Sequence, residues 1–310
     1  MTSSVKKRVA IVTGGGRGIG LSIAKSLTKE GVDVVVADAG VSIDGADPDP
    51  MVAQAAASEI GGSTVAFSES ITSPSAAQAL VDYATESFGR IDIIVNNAAI
   101  LRDAFIFKGN PTDWYSVIST NLSAAYYLLS AATPLLRANS KNTGDYNYGR
   151  IVNITSTAGF YGNFGQAAYS SAKAGLFGLT RAVALDMSRS GVTCNAVAPF
   201  AATRVTETIQ PANDSQAEYK ARALRLSATH VATLVSYLCD EKAQHVSGQL
   251  FAVRGREIFI FNQPRPKARA VNTEMDWSLE TLAVAIDEDL MSSFSPLETD
   301  LEAFNTEPVI

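Results

Sequence analysis

Two hydrophobic periods alternate along the chain. Short apolar runs rich in β-branched residues stand at Val9–Val12, Val34–Ala37, Thr64–Phe67 (the weakest), Ile91–Val95, Ile151–Ile154 and Val192–Val197. Longer segments with helical spacing lie between and after them, at about 17–30, 51–60, 75–88, 112–137 and 167–190. The short runs lack the apolar–polar alternation of a strand with one wet face, so both faces should be covered. Strands alternating with helices predict a parallel sheet with right-handed crossovers. A last strand is expected at Gln249–Val253, with a short appendage at Glu257–Phe261. The expectation is a doubly wound, mostly parallel, seven-stranded α/β sheet with helices on both faces.

The pattern breaks in four places. Val41–Pro50 carries Gly and two Pro residues and reads as an exposed loop after the second strand. Asn139–Tyr148 reads as a polar turn. Phe200–Tyr219, with Pro211, Asn213 and Asp214, reads as an irregular flap. After Gln263 the composition changes: Pro264-Arg265-Pro266-Lys267 resembles a linker. Leu279, Leu282, Ile286 and Leu290 then recur at helical spacing behind Ser278, a good N-cap. The division expected is one domain over 1–262 and an extension over 263–310 with one short helix and a loosely held acidic end.

With 310 residues the chain can bury one large α/β core. A net charge of −6 with no basic stripe argues against a nucleic-acid or anionic-membrane partner. Lys6, Lys7 and Arg8 precede an apolar run, but Gly14, Gly15 and Gly16 cut it too short for a signal peptide. No stretch reaches transmembrane length. The two cysteines, Cys194 and Cys239, and two histidines, His230 and His245, lack metal-ligand spacing. Without a disulfide framework the expected compartment is a reducing cytoplasm, and no metal is expected.

The first strand runs into Thr13-Gly14-Gly15-Gly16-Arg17-Gly18-Ile19-Gly20 and then a helix. Glycines at 14, 18 and 20 let the backbone turn tightly and approach a pyrophosphate, and the helix start offers free N–H groups. Asp38 ends the second strand, where a carboxylate can accept from ribose hydroxyls and repel a 2′-phosphate. Arg17 pulls the other way, since a guanidinium can pair with that phosphate. The balance favours NAD.

Ser156 follows a strand, Tyr169 comes thirteen residues later and Lys173 four further on. On a helix, positions i and i+4 share a face, so phenol and ammonium point into one site. Such a tyrosine can take a proton from an alcohol or give one to a carbonyl. A phenol with an ordinary pKa near 10 is a poor base at neutral pH, and a neighbouring cation is expected to pull it down. Ser156 can bond the reacting oxygen.

The Thr-Gly-x-x-x-Gly-Ile-Gly turn together with Ser156, Tyr169 and Lys173 resembles the short-chain dehydrogenase/reductase family, over roughly 6–262. The resemblance implies a nicotinamide cofactor held also by Ser70, Ile71, Asn97, Ala98, Ala99, Pro199 and Thr203, with Lys173 reaching the ribose. It implies that Asn121 distorts its helix and holds a water relaying protons to Lys173. Departures are Ala99 and Phe200 where the family usually has Gly, Ser70 where it has Asp, and a Pro199–Thr203 interval one residue short.

The insert after Asp38, Ala99–Asp103, Tyr161–Gln166 and Cys194–Glu207 are similar to the dehydrogenase unit of peroxisomal multifunctional enzyme type 2 and bacterial relatives. That branch implies a (3R)-hydroxyacyl-CoA or 17β-hydroxysteroid substrate. Phe105, Phe107, Phe160, Tyr161, Phe164 and Phe200 suit a bulky apolar substrate, and equally suit core packing. The alternatives are an NADPH-dependent ketoreductase of lipid or polyketide synthesis and a non-catalytic nucleotide-binding subunit. The resemblance also implies a homodimer or homotetramer paired through helices 112–137 and 167–190. Ala124, Ala125, Ala131, Ala132, Ala172 and Ala174 there suit helix contact or packing on the sheet.

Overall fold

The computed structural model describes residues 7–143, 148–208, 210–211, 213–273 and 276–310. The strands are β1 (Val9–Thr13), β2 (Asp33–Ala37), β3 (Thr64–Phe67), β4 (Ile93–Asn96), β5 (Arg150–Ile154), β6 (Thr193–Phe200), β7 (Leu250–Arg254) and β8 (Glu257–Phe261). They form one sheet in the order β3-β2-β1-β4-β5-β6-β7-β8. All neighbours pair parallel except β7 and β8, which form an antiparallel hairpin.

The sheet thus has eight strands rather than seven. Glu257–Phe261 alternates half-buried and exposed residues, with Ile258 and Ile260 turned out, as befits an edge strand covered on one face. β1, β4 and β5 are buried at every position, including the polar Thr13, Asn96, Arg150 and Asn153 at or near their ends.

The helices are α1 (Gly18–Lys29), α2 (Met51–Ile60), α3 (Pro74–Phe88), α4 (Pro111–Ile118), α5 (Ala124–Thr143), α6 (Ala158–Tyr161), α7 (Ala167–Asp186), α8 (Arg204–Thr208), α9 (Asp214–Ala223), α10 (Ala228–Cys239), α11 (Leu279–Ala285) and α12 (Asp300–Ala303). A π-helical turn, Ser119–Ser123, splits the segment expected as one helix over 112–137 into α4 and α5. α5 runs on to Thr143, so the expected polar turn starts later, and residues 144–147 lie outside the described residues.

Each face of the sheet carries its own core. On one, Ile23 and Leu27 of α1 and Val235 and Leu238 of α10 pack on Val12, Val36 and Val152. On the other, Leu80 of α3 and Leu128, Ala132 and Leu136 of α5 pack on Ile11, Ile94 and Ile151. Ala124, Ala125, Ala132 and Ala172 are buried within the chain, so most of the small-residue faces serve its own packing. Cys194 and Cys239 are free and buried, and burial pushes both thiols up, which leaves them unreactive.

The extension does not simply trail. It carries a second short helix, α12, besides the expected one. Its last residues return to the sheet: Arg254 donates to the Phe304 carbonyl at 2.8 Å and the Arg256 N–H to the Val309 carbonyl at 2.8 Å. Among the described residues no helix is long and apolar enough to cross a membrane, and no group of side chains could hold a metal ion.

Candidate active site

A cleft of about 670 Å³ opens at the carboxyl ends of β1, β2, β4 and β5, where the strand order reverses direction. It is lined by Gly14, Arg17, Gly18, Ile19, Asp38, Ser70, Ile71, Asn97, Ala98, Ala99, Tyr169, Lys173, Pro199 and Thr203.

The glycine turn is the tightest part. The Gly14 N–H donates to the Ala37 carbonyl at 2.7 Å, tying β1 to β2. A Cβ on Gly14 would lie 2.8 Å from the Ala98 Cα, and one on Gly20 2.0 Å from the Gly14 carbonyl oxygen. Gly20 therefore packs the turn from behind rather than lining the cleft. Gly18, at φ +54°, faces open space, with only the Thr203 methyl within 4 Å of where its Cβ would be. This bare cradle at the start of α1, where first-turn N–H groups have no partner inside the helix, fits a pyrophosphate.

Asn97 braces the turn: its amide donates to the carbonyls of Thr13 and Gly14, both at 3.0 Å. The Thr13 hydroxyl accepts from the N–H groups of Asn97 and Ala98 at 2.9 and 3.1 Å. Thr13 opens the glycine motif in the sequence, but its spacing gives no sign that the hydroxyl ties β1 to the loop after β4.

The Asp38 carboxylate accepts from the N–H groups of Gly16 and Gly40, each at 2.8 Å. It shapes the turn and the loop beyond it, with lone pairs left over for a ligand. Arg17 turns to the Val41 carbonyl at 2.6 Å, and Arg204 reaches the same oxygen at 3.3 Å. The insert is thus a wall of the cleft. Val41, Ile43 and Gly45 line it, and the Leu101 N–H donates to the Ile43 carbonyl at 2.8 Å.

Tyr169 and Lys173 sit one turn apart on α7 and both line the cleft. The Lys173 Nζ donates to the Ile154 carbonyl at the end of β5 at 2.8 Å and lies 5.7 Å from the Tyr169 ring centroid. Burial pulls the lysine down to about 8. The phenol departs from the sequence expectation: it is pushed up to about 12, not down. Burial is the largest cause, a hydrogen bond from Ser156 opposes it, and the charges of Asp300 and Asp103 add to it. At neutral pH the pair rests as a neutral phenol and a largely protonated lysine, because desolvation is the largest cause of both shifts.

Asn121 lies in the π turn and is buried. Its amide clamps the backbone of Ile100, accepting from the N–H at 2.8 Å and donating to the carbonyl at 2.9 Å. The side chain therefore braces the loop after β4.

Three segments pack together beside Tyr169. Ala104 bridges to Gln166, the Ala104 N–H donates to the Gly165 carbonyl at 2.8 Å, and Gln166 donates to Asp103 at 2.9 Å. From the extension comes Asp300, which neither composition nor spacing marks as part of a site; it accepts from Thr157 at 2.7 Å and Asn163 at 2.8 Å. The aromatic group splits in two. Phe200 and Tyr161 pack on Phe304, and Phe160 stacks on Phe261. Phe105, Phe107 and Phe164 are exposed.

The sequence profile of the family described as short chain dehydrogenase matches residues 8–216. The chain belongs to the short-chain dehydrogenase family. Peroxisomal multifunctional enzyme type 2 of Drosophila melanogaster is 37% identical over 240 residues, 76% of this chain and 37% of that larger protein. A hydroxyacyl-CoA dehydrogenase of Mycobacterium tuberculosis is 33% identical over 92% of this chain and 89% of its own length. A crystal structure of a short chain dehydrogenase from Mycobacterium avium superposes with a TM-score of 0.78 at 34% identity, covering 94% of this chain and 98% of the other. As a short-chain dehydrogenase the chain is an oxidoreductase that uses a nicotinamide nucleotide, which the bare glycine cradle accommodates.

Proposed function

We propose that the chain interconverts a secondary alcohol and a ketone with NAD(H), acting on a hydroxyacyl thioester, a steroid or a similarly bulky, partly apolar substrate. The observation carrying this reading is that Tyr169 and Lys173 share one cleft with the glycine turn, with Ser156 close enough to the phenol to act on its proton. Tyr169 exchanges the hydroxyl proton, and Ser156 steadies the reacting oxygen. Lys173, held by the Ile154 carbonyl, keeps a positive charge beside the phenol. Bound nicotinamide supplies the hydride acceptor or donor and, when oxidised, a second positive charge. With the phenol at about 12, Tyr169 rests as a proton donor to a carbonyl; oxidation of an alcohol draws on both positive charges to reach the phenolate.

Asp38 at the end of β2 supports NAD, since a second phosphate there would meet a carboxylate. The exposed Phe105–Phe107 stack, with ring centroids 5.5 Å apart, and the matched hydroxyacyl-CoA dehydrogenase support an acyl or sterol substrate. The two free buried thiols accord with a reducing cytoplasm. A homodimer or homotetramer is part of this reading. Trp114 of α4 and Tyr126 of α5 are exposed and supply apolar surface for it.

The test is a panel of 3-hydroxyacyl-CoA thioesters, 17β-hydroxysteroids and simple secondary alcohols, with NAD and NADP in parallel, followed by NADH or NADPH absorbance. Turnover of one of the bulky classes with NAD, abolished by Tyr169→Phe while NADH still binds, is expected. A tenfold preference for NADP, or full turnover in Tyr169→Phe, overturns it.

A further inference from the structure

Between Ser156 and Tyr169 the chain makes an excursion that includes α6 and the Gly162–Gly165 loop. Its ends carry the two side chains that must meet at the reacting oxygen. Thr155 donates to the Lys173 carbonyl at 2.6 Å and Lys173 to that of Ile154, which joins the strand end to α7, but the segment between them, with two positive-φ glycines, Gly162 and Gly165, keeps freedom of its own. Asp300 lies against it. One carboxylate oxygen accepts from the Thr157 hydroxyl, on the residue after Ser156, and the other from the Asn163 amide, in the run leading to Tyr169. Asp300 is buried, its helix is started by a capping box between Thr299 and Glu302, and Phe304 packs one turn later on Tyr161 and Phe200. A carboxylate is buried this way only when its oxygens are bonded.

We propose that Asp300 is a positioning residue: by tying Thr157 to Asn163 it fixes the approach of Ser156 to Tyr169, so the extension completes the catalytic geometry without touching the reacting atoms. The proposal rests on the reading of Tyr169 and Ser156 given above.

The charge has a second effect. The groups facing it are Tyr161 and Tyr169 from the excursion and its following helix, Tyr219 from α9, Glu298 from its own segment and, beyond Tyr219, Arg254 of β7. Of these, Tyr169 transfers the proton, and the Asp300 charge favours its neutral form.

The experiment compares full-length Asp300→Ala and Asp300→Asn with the parent chain, using the panel substrate the parent turns over best, with Tyr169→Phe as control. Asp300→Ala loses both anchors. It should lower kcat about ten- to a hundredfold, as small misplacements of reacting groups do, with NADH Kd within about twofold. Asp300→Asn can keep both partners by turning its amide and that of Asn163. It should recover most of kcat and move the acid limb of the pH profile for oxidation to lower pH.

Hydrogen exchange, read without substrate, should rise over 157–166 in Asp300→Ala and stay unchanged over Gly14–Gly20. Unchanged kcat together with unchanged protection of 157–166 overturns the proposal. So does a loss of NADH affinity and melting temperature in step with kcat, which marks a merely structural role. If Asp300→Ala does not fold, an Asp300→Asn variant with parental kcat and an unmoved acid limb overturns it. Turnover surviving in Tyr169→Phe overturns the reading of the reaction instead, and the two failures are thereby distinct.

Discussion

The two walls of the cleft are built by different means. The nucleotide wall comes from three strand ends that are neighbours in the sheet. Bonds that each end on a backbone group hold it: Gly14 to Ala37, the Thr13 hydroxyl to the loop after β4, Asp38 to Gly16 and Gly40. The other wall comes from segments around 100–108, 157–166 and 298–304, of which Ile100 and Arg102 line the cleft itself and the rest pack on one another beside Tyr169. Side-chain bonds and aromatic contacts hold it across long sequence distances. The first wall cannot vary without breaking the turn, whereas the second can be rebuilt by changing a loop or a tail. A shared cofactor and a divergent substrate need that division.

The harshest way to break the comparison is Gly20→Val. Its Cβ would sit 2.0 Å from the Gly14 oxygen, so the turn must open. NADH binding should be lost altogether, by fluorescence titration, and the melting temperature should fall, because the nearest obstacle is the Gly14 backbone, which cannot yield.

Phe304→Ala probes the other wall. It removes the ring that Phe200 meets at 4.8 Å and Phe259 at 5.6 Å, and should cost about 2–4 kcal/mol in denaturant unfolding. Substrate KM should rise while NADH Kd stays within about twofold. Equal loss of both would mean that the walls are not separable.

Lys173→Met sharpens the comparison at their junction, with the smallest effect on stability. The folded lysine titrates near 8, below its ordinary 10.5. Between those values the unfolded chain holds the proton and the folded chain releases it, so the burial cost is full below pH 8 and vanishes above 10.5. The variant should be inactive, yet more stable than the parent at pH 7 by about 1–2 kcal/mol after losing the Ile154 bond. That gain should fade as pH climbs through the window. A gain independent of pH would contradict the assignment.

What was legible in the sequence follows the same division. The parallel strands, the glycine turn and the Tyr169–Lys173 pair could be read because strand period, turn chemistry and helical spacing are local properties. β8 was read as an appendage because its exposed Ile258 and Ile260 look like any alternating edge, and only its pairing with β7 makes it part of the sheet. The clamp of Asn121 on Ile100 and the turning of Arg17 toward Val41 depend on side-chain direction, which spacing does not encode. The phenol's upward shift depends on desolvation, a property of the assembled site rather than of any pair of residues. Asp300 had no local mark at all.

The Thr157–Asp300 bond spans 143 residues, and the ribosome needs on the order of ten seconds to cover that distance. A growing chain therefore has its nucleotide cradle well before it has its last anchor. During synthesis the protein passes through a stage at which it can hold a dinucleotide, and be steadied by it, while its chemistry is still unfinished.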